Sequence, residues 1–146
     1  MKAGEVCSRV VVLAKPGDPL ASAARDMLTH DIGALVVVDP HANLRVVGIV
    51  TDRDAVSGQL ARGADLFCLT VGDVMTPQPL SVPESMDVSE VVEAMNARGV
   101  RRAPVVSDSG AIVGIVTLDD LLPVLAEELY ELGQLIGTQA RRKSPQ

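Results

Sequence analysis

Gly-Ile-Val-Thr-Asp-Arg-Asp occupies residues 48–54, and Gly-Ile-Val-Thr-Leu-Asp-Asp occupies residues 114–120, so five of the seven positions are identical. The similarity extends upstream with an offset of 68 residues, which aligns Leu20 with Val88. A longer polar turn at residues 39–44 of the first copy reduces the later offset to 66. The chain is therefore one unit written twice, and a repeat of this kind decides the whole fold.

The first copy reads as strand, helix, strand, turn, strand and a second helix that begins near Thr51. Its first helix carries an apolar stripe that starts at Leu20. We expect Asp18 to cap this helix, Pro19 to be its first residue and Gly33 to end it. The predicted strands are the short apolar runs at residues 10–13, 35–38 and 46–50.

The second copy repeats this order of elements. Ser85 is the expected N-cap of its first helix, and Gly99 is the expected end of that helix. Pro104 lies within the strand that follows, and proline cannot donate to a sheet ladder. We therefore expect an edge position or the start of a strand at Pro104. The predicted strands are the runs at residues 80–82, 103–106 and 112–116.

The predicted fold class is α+β, with two β-α-β-β-α repeats packed against each other. A unit of about sixty residues buries too little apolar surface to be stable alone, so each copy should cover the other. We place the first repeat with its lead-in at residues 1–66 and the second at residues 67–128. Residues 129–146 are assigned to a helix end and a tail.

The C-terminal helix departs from its counterpart in the first copy. Its apolar residues follow a 3-4-3-4 spacing at Leu122, Leu125, Leu129, Leu132 and Ile136. This seam either covers the protein's own core or forms a subunit contact, and two heptads do not decide between the two. We expect Pro123 to restart or kink the helix and residues 140–146 to be a frayed, solvated end.

Composition limits the class of protein. A formal net charge of -6 argues against a nucleic-acid partner, which normally requires a basic face. No apolar run approaches the roughly 18 residues that a transmembrane helix needs, and no signal-peptide pattern is present. Cys7 and Cys68 belong to no paired motif, which predicts reduced thiols and a cytoplasmic protein. Neither cysteine is spaced with His30 or His41 as a metal site would require, so no metal site is expected.

The Thr-x-x-Asp pattern in both copies has two compatible readings. In the structural reading it is a capping box, in which Thr51 accepts a hydrogen bond from the amide of Asp54. In the functional reading the same helix start presents free amides to an anion. The threonine then joins a phosphate site, the aspartate accepts both hydroxyls of a ribose, and Arg53 supplies positive charge. Thr117 and Asp120 repeat the pattern without the arginine.

Two units that each end in Gly-Ile-Val-Thr-x-x-Asp resemble a tandem pair of CBS domains, the cystathionine β-synthase module, whose pair is called a Bateman module. The resemblance covers roughly residues 10–128, including residues 31–37 and 100–105. It implies a pseudo-twofold pair with two clefts between the units. It also implies a homodimer that senses an adenine nucleotide or adenosyl ligand, such as AMP, ADP, ATP or S-adenosylmethionine.

The resemblance further implies which residues would bind the ligand. Thr51 and Asp54 would hold phosphate and ribose in one cleft, and Thr117 and Asp120 would do so in the other. The purine would be read mainly by backbone and would lie between aliphatic side chains. The residues expected near the purine are Gly33, Ala34, Arg102, Ala103 and Pro104, and the expected phosphate partners are Arg53, Arg101 and Arg102.

Three classes of function remain open. The first is a regulatory module that signals ligand occupancy to an unknown target protein, and the second is a structural or interaction dimer with vestigial clefts. The third is a small hydrolase or kinase that uses the carboxylate pairs at residues 52 and 54 or 119 and 120. No nucleophile–base pair, Walker loop or dinucleotide glycine motif is present, so an enzyme is disfavoured. No cofactor is required, and Mg²⁺ is expected only with a nucleotide.

Overall fold

Two sheets, one for each repeat, form the framework in the computed structural model, which describes residues 1–143. The first sheet has the order β1-β2-β3-β4, with a parallel β1–β2 pair and antiparallel pairs elsewhere. Its strands are β1 (Leu13–Ala14), β2 (Ala34–Asp39), β3 (Arg45–Thr51) and β4 (Thr76–Pro77). The second sheet has a parallel and then an antiparallel pair of strands. Its strands are β5 (Val82–Pro83), β6 (Arg102–Val106) and β7 (Ile112–Thr117).

Helices alternate with these strands and confirm the predicted β-α-β-β-α order in both copies. The first half contains α1 (Ala3–Val6), α2 (Leu20–His30) and α3 (Asp52–Arg62). The second half contains α4 (Val71–Val74), α5 (Val88–Arg98) and α6 (Leu118–Lys143). The predicted fold class, a pair of α+β repeats, is confirmed. No helix within residues 1–143 is long and apolar enough to cross a membrane.

Each repeat has its own aliphatic core. Leu20, Leu35 and Val50 are fully buried in the first core, and Val82 and Val91 are fully buried in the second. Burial of a large aliphatic side chain contributes about 1.5–3 kcal/mol to folding, so these clusters stabilise both halves without aromatic residues.

The lead-in segment of each repeat packs on the other repeat. Ala3, at the start of the chain, is buried in the core of the second repeat, whereas Val71 is buried in the core of the first. Ser8 pairs with Ile115 through two backbone hydrogen bonds of 2.9 Å. Thr76, the counterpart of Ser8, pairs with Ile49, the counterpart of Ile115. We call these two exchanged segments, residues 3–8 and 71–77, the N-terminal and central braces.

The glycine that opens each repeated stretch is explained by these braces. A Cβ at Gly114 would lie 2.4 Å from the carbonyl oxygen of Ser8 and 2.8 Å from the sulfur of Cys7. A Cβ at Gly48 would lie 2.6 Å from the sulfur of Met75 and 3.1 Å from the carbonyl oxygen of Thr76. Since the brace crosses the strand at this point, a side chain at either glycine would require part of the brace to move.

The predicted boundaries of α2 are wrong at both ends. Asp18 does not cap the helix, because its carboxylate accepts the Lys15 amide at 2.9 Å within the preceding turn. Pro19 takes the N-cap position and is not the first helical residue. The helix ends at His30, and Asp31 adopts the left-handed conformation with φ 51° that was expected of a glycine. Gly33 therefore lies beyond the helix, in the segment that leads into β2.

The start of α5 also differs from the prediction, since Asp87 and not Ser85 occupies the N-cap position. Its predicted end is confirmed, because Gly99 follows the helix with φ 65°. Pro104 lies in the central strand β6, yet β5 pairs only with Val105 and Val106. One side of β6 is therefore unpaired at Pro104, which is how a central strand accommodates the proline.

The C-terminal helix is longer and more regular than predicted. Helix α6 runs through Pro123 without interruption, so the predicted restart is wrong, while the predicted kink stays a prediction. Pro123 and Asp119 are both exposed, so water can bind the carbonyl that lacks its helical partner. Residues 140–143 are helical, not frayed, and residues 144–146 of the predicted tail lie outside the described residues.

Candidate functional site

Two clefts lie between the repeats, and each is lined by both. Cleft 1, of about 560 Å³, contains Thr51 and Asp54 of the first repeat with the segment that follows α5 of the second. Cleft 2, of about 570 Å³, contains Thr117 and Asp120 of the second repeat with the segment that follows α2 of the first. Volumes of this size fall within the range of small-molecule sites.

Both repeated stretches form the predicted capping boxes. The hydroxyl oxygen of Thr51 accepts the Asp54 amide at 3.0 Å, and the Asp54 carboxylate accepts the Thr51 amide at 3.0 Å. In the second copy, the Thr117 oxygen accepts the Asp120 amide at 3.3 Å, and the Asp120 carboxylate accepts the Thr117 amide at 2.9 Å. Both helix starts are thereby held rigid at the wall of a cleft.

The two capping boxes differ in one hydrogen bond. The Thr117 hydroxyl donates to Asp120 Oδ2 at 3.0 Å, whereas Thr51 makes no such bond to Asp54 within the described residues. The proton of the Thr51 hydroxyl is therefore available to a ligand oxygen. Asp54 uses only Oδ2 within the described part of the chain, which leaves Oδ1 able to accept from a ligand hydroxyl.

The electrostatics of the clefts also differ. Four arginines line cleft 1 beside two carboxylates, namely Arg53, Arg98, Arg101 and Arg102 with Asp52 and Asp54. Only two arginines line cleft 2 beside two carboxylates, namely Arg101 and Arg102 with Asp119 and Asp120. Within residues 1–143 none of these groups forms an ion pair, since the pairs found there are Lys2–Asp87 and Arg62–Asp73. Cleft 1 is therefore the more cationic of the two and the better suited to a phosphate.

Aliphatic side chains form the remaining walls. Cleft 1 has Ile49, Leu80 and Val100, and cleft 2 has Val12 and Ile32, among others. A flat heterocycle between aliphatic side chains buries apolar area without needing an aromatic partner. The walls and the polar motif together suit a ligand that has an apolar ring at one end and an anion at the other.

The structure brings most of the predicted site residues to a cleft. Arg53 lines cleft 1, Gly33 and Ala34 line cleft 2, and Arg101 and Arg102 line both. Ala103 and Pro104 do not line either cleft, because their side chains are fully buried in β6. The binding role of every one of these residues stays a prediction.

Sequence reasoning missed the lead-in residues that line the clefts. Cleft 2 includes Ser8, Val11 and Val12, and cleft 1 includes their counterparts Thr76, Pro79 and Leu80. The same offset of 68 residues relates the two sets, so extending the repeat upstream would have identified them. Arg98 was also missed, because its place in the last turn of α5 is explained equally well by the helix dipole.

No group of three or more histidine, cysteine or carboxylate residues within the described chain could hold a metal ion. Cys7 and Cys68 are free thiols. Partial burial raises the pKa of the Cys7 thiol, and its sulfur lies beside Gly114.

The arrangement of the two repeats can be compared with known proteins. A model of the CBS domain matches residues 3–60 and 71–127. The chain belongs to the CBS domain family. Both matches begin at a brace, since residues 3 and 71 are the first residues of α1 and α4.

Sequence relatives include large enzymes and small proteins. An uncharacterised Methanopyrus kandleri protein is 36% identical over 121 residues, which are 83% of this chain but 61% of the relative. Hypoxic response protein 1 from Mycobacterium tuberculosis is 36% identical over 110 residues, 75% of either chain. An inosine-5'-monophosphate dehydrogenase from Methanocaldococcus jannaschii is 36% identical, but the alignment covers only 23% of that enzyme. The matched portion is thus a minor part of the dehydrogenase.

Solved structures show the same fold. Hypoxic Response Protein I with two coordinated zinc ions matches with a TM-score of 0.74 and 32% identity, over 84% of this chain and 98% of that one. The CBS domain pair of protein MJ0100, in complex with 5'-methylthioadenosine and S-adenosyl-L-methionine, matches with a TM-score of 0.74 and 26% identity. That match covers 88% of this chain and 98% of the other. The fold and the tandem arrangement of two repeats are those of CBS pairs.

Proposed function

We propose that this protein is a cytoplasmic regulatory module, without catalytic activity of its own, that binds an adenine nucleotide or adenosyl ligand between its repeats. It signals occupancy through a homodimer to a separate target protein. Mg²⁺ enters only with a nucleotide that carries it. The proposal rests on cleft 1. One cavity there is lined by a threonine whose hydroxyl proton is unused, a carboxylate with one unused oxygen and four arginines.

Each group in cleft 1 has a distinct role in this proposal. The Thr51 hydroxyl donates to a phosphate or another anionic group. The first three amides of α3 do not, because they already donate to the Gly33 carbonyl, the Asp52 carboxylate and the Thr51 oxygen. Asp54 Oδ1 accepts from the ribose hydroxyls and faces the sugar, because a carboxylate repels phosphate. Arg53 and Arg102 neutralise the phosphate charge. The adenine ring lies against Ile49, Leu80 and Val100, which line the cavity.

Two comparisons support an adenosyl ligand. The CBS pair of MJ0100 has a fold like that of this chain and binds two adenosyl compounds. Part of an inosine-5'-monophosphate dehydrogenase is 36% identical to this chain, which is consistent with a module that accompanies an enzyme. The zinc ions of Hypoxic Response Protein I are not carried over, because the described residues offer no metal-binding group.

Thermal unfolding with AMP, ADP, ATP and S-adenosylmethionine, each with and without Mg²⁺, tests the proposal. A ligand at a hundredfold excess over its Kd adds about 2.7 kcal/mol to the free energy of unfolding and raises the Tm. We expect Asp54→Ala to abolish most of this shift for a ligand that carries phosphate. Asp120→Ala is the matched control, since it removes the equivalent carboxylate from the less cationic cleft.

The outcomes separate the proposal from its alternative. No shift with any ligand, confirmed by calorimetry, would favour an interaction dimer with vestigial clefts. The exposed apolar face of α6 supports this alternative. Equal losses in Asp54→Ala and Asp120→Ala would contradict the preference for cleft 1 but not the ligand class.

A further inference from the structure

The C-terminal half of α6 extends away from both cores. Every residue from Ala126 to Ile136 is exposed, although Leu121, near the start of the same helix, is buried in the second core. Leu129 is 71% exposed, Leu132 is 59% exposed and Ile136 is 69% exposed. An isolated helix of about 15 residues is marginal in water, and most helices in proteins are held by packing of an apolar face. Leu125, near the start of the seam, packs against the second core, but the part of the seam from Leu129 to Ile136 does not cover this protein's own core.

Small residues follow one side of the seam. Ala126, Gly133 and Ala140 recur at the heptad spacing, immediately after Leu125, Leu132 and Gln139. A Cβ at Gly133 would meet nothing within 4 Å. Small residues beside an apolar seam permit two helices to approach closely, and no neighbouring atom of residues 1–143 fills the space at Gly133.

Charge is distributed unevenly along the same helix. Glu127, Glu128 and Glu131 lie in its middle, and Arg141 and Arg142 lie near its end. A groove of about 790 Å³ runs along the acidic part, and its lining is Met1, Val124, Glu127, Glu128, Glu131, Leu132 and Leu135. This groove has acidic and apolar sides, so it suits an apolar helix that carries arginine. The described end of α6 is a helix of that kind.

We propose that the C-terminal half of α6 docks on the same helix of a second copy in antiparallel orientation. In the register set by the seam, Leu132 packs against Ile136 of the partner subunit. The same register places Glu128 beside the partner's Arg142 and sets Leu135 against the partner's Leu135. Gly133 faces its own copy, where the helices come closest. Because the contact has twofold symmetry, each of these pairs occurs twice. The exceptions are Leu135 and Gly133, which meet their own copies on the twofold axis.

Antiparallel orientation follows from the charges. A parallel pair would set Glu128 beside Gly133 of the partner subunit, which offers no charge, so the attraction between Glu128 and an arginine is lost. Flanking charges select partner and orientation in helix pairs in this way. The inference names the contact through which the proposed homodimer forms, and in that respect rests on the proposed function. It does not depend on nucleotide binding.

Sedimentation velocity on the full chain tests the contact. Wild type should be a dimer, and Leu132→Glu combined with Ile136→Glu should be a folded monomer, since both side chains are exposed in the single molecule. Glu128→Arg alone and Arg142→Glu alone should each weaken the dimer by about tenfold, and the two together should restore it. Arg141→Glu is the matched control and should leave the dimer unchanged, because that position points away from the seam in the heptad.

Cysteine pairing tests the orientation. In a background with Cys7→Ala and Cys68→Ser, Leu135→Cys should form a disulfide-linked dimer on oxidation, whereas Leu129→Cys should not. The opposite pattern would show a parallel pair. Gly133→Leu separates assembly from folding, because it should stabilise the monomer's helix while weakening the dimer.

Three results would overturn the inference: a wild-type monomer at all concentrations, a dimer unaffected by Leu132→Glu with Ile136→Glu, or cross-linking at Leu129 in place of Leu135. A dimer that survives the seam variant would mean that copies meet on another face. Adenosyl-ligand binding is measured on the same variants by calorimetry. Loss of the dimer with ligand binding retained, or the reverse, therefore distinguishes failure of one proposal from failure of the other.

Discussion

Cleft 1 and cleft 2 share a backbone frame but differ in charge. In both, a capping box at the start of a helix faces the segment that follows the first helix of the other repeat. The differences lie at exposed or half-buried positions around that frame, where Arg53 corresponds to Asp119 and Arg102 corresponds to Ala34. Cleft 1 combines Arg53 with arginines of the second repeat, whereas cleft 2 has Asp119 at the position that corresponds to Arg53. Cleft 1 is therefore the more cationic of the two. The two clefts therefore share one backbone geometry, and a few side chains determine which ligand each cleft would prefer.

The two braces also share one arrangement but differ in the atoms that face the glycine at each crossing. Both cross a glycine, but a Cβ at Gly114 would lie 2.4 Å from the Ser8 carbonyl oxygen. At Gly48 the shortest contact, 2.6 Å, is with the Met75 sulfur, and the Thr76 carbonyl oxygen is farther away at 3.1 Å. A neighbouring side chain can turn aside when the glycine is replaced. A carbonyl that is already paired with Ile115 cannot move without breaking that pairing.

The largest expected effect is on these two glycines. Gly114→Ala should lower the free energy of unfolding by about 3 kcal/mol, at the upper end for an overpacked site. Gly48→Ala should cost only about 1 kcal/mol, because the Met75 side chain can rotate away. Urea unfolding of both variants measures the difference. Equal costs would mean that the two braces are equally adaptable.

A smaller effect is expected from exchanging charge between the clefts. Arg53→Asp should weaken a phosphate-bearing ligand at cleft 1 by about tenfold, or about 1.4 kcal/mol, because it replaces an attraction with a repulsion. Asp119→Arg should strengthen binding at cleft 2 by a similar factor. Calorimetric titration of each variant and of the double variant checks this. If neither variant changes the affinity, the contrast between the clefts has no bearing on the ligand.

The smallest expected effect concerns the pH dependence of the braces. A hydrogen bond from Lys2, reinforced by its charge, lowers the pKa of Asp87, and a hydrogen bond from the Thr70 amide lowers the pKa of Asp73. A lowered folded-state pKa stabilises the protein above the ordinary aspartate range, and this stability is lost as pH falls through the folded-state value. Unfolding curves at falling pH should therefore lose slightly less stability in Asp87→Asn and Asp73→Asn than in wild type. Both carboxylates are exposed, so a steep acid transition removed by either substitution would contradict this account.

Much of the fold could be predicted because the repeat carries information twice. The paired strands and the two capping boxes follow from local patterns that agree between copies, and the end of α5 follows from Gly99 in the second copy alone. Helix α1 could not be predicted, because four residues are too few for a periodic signal, and it is held by packing on the second repeat. The end of α2 was misplaced because Asp31 takes a conformation that glycine normally supplies.

The site was predicted less completely than the fold. Thr51, Asp54, Thr117 and Asp120 could be named because their spacing has a physical meaning at a helix start. Ala103 and Pro104 were expected near the purine through their backbone; their side chains are fully buried, and their binding role stays a prediction. Which arginines share a cleft depends on how the repeats are placed in space, and no local pattern reports that placement.

Because each brace packs on the other repeat, we expect the two repeats to fold in a fixed order during synthesis on the ribosome. The first repeat needs residues 71–77, which follow it closely, whereas the second needs residues 3–8, which are made long before it. Closing the long loop between Ser8 and Ile115 costs more chain entropy than closing the short one between Ile49 and Thr76. We therefore expect a nascent chain ending at Gln78 to unfold cooperatively in isolation, and a fragment beginning at Pro79 to remain unfolded until residues 1–9 are supplied as a peptide. Circular dichroism of the two fragments measures this, and independent folding of the second would show that the N-terminal brace is dispensable.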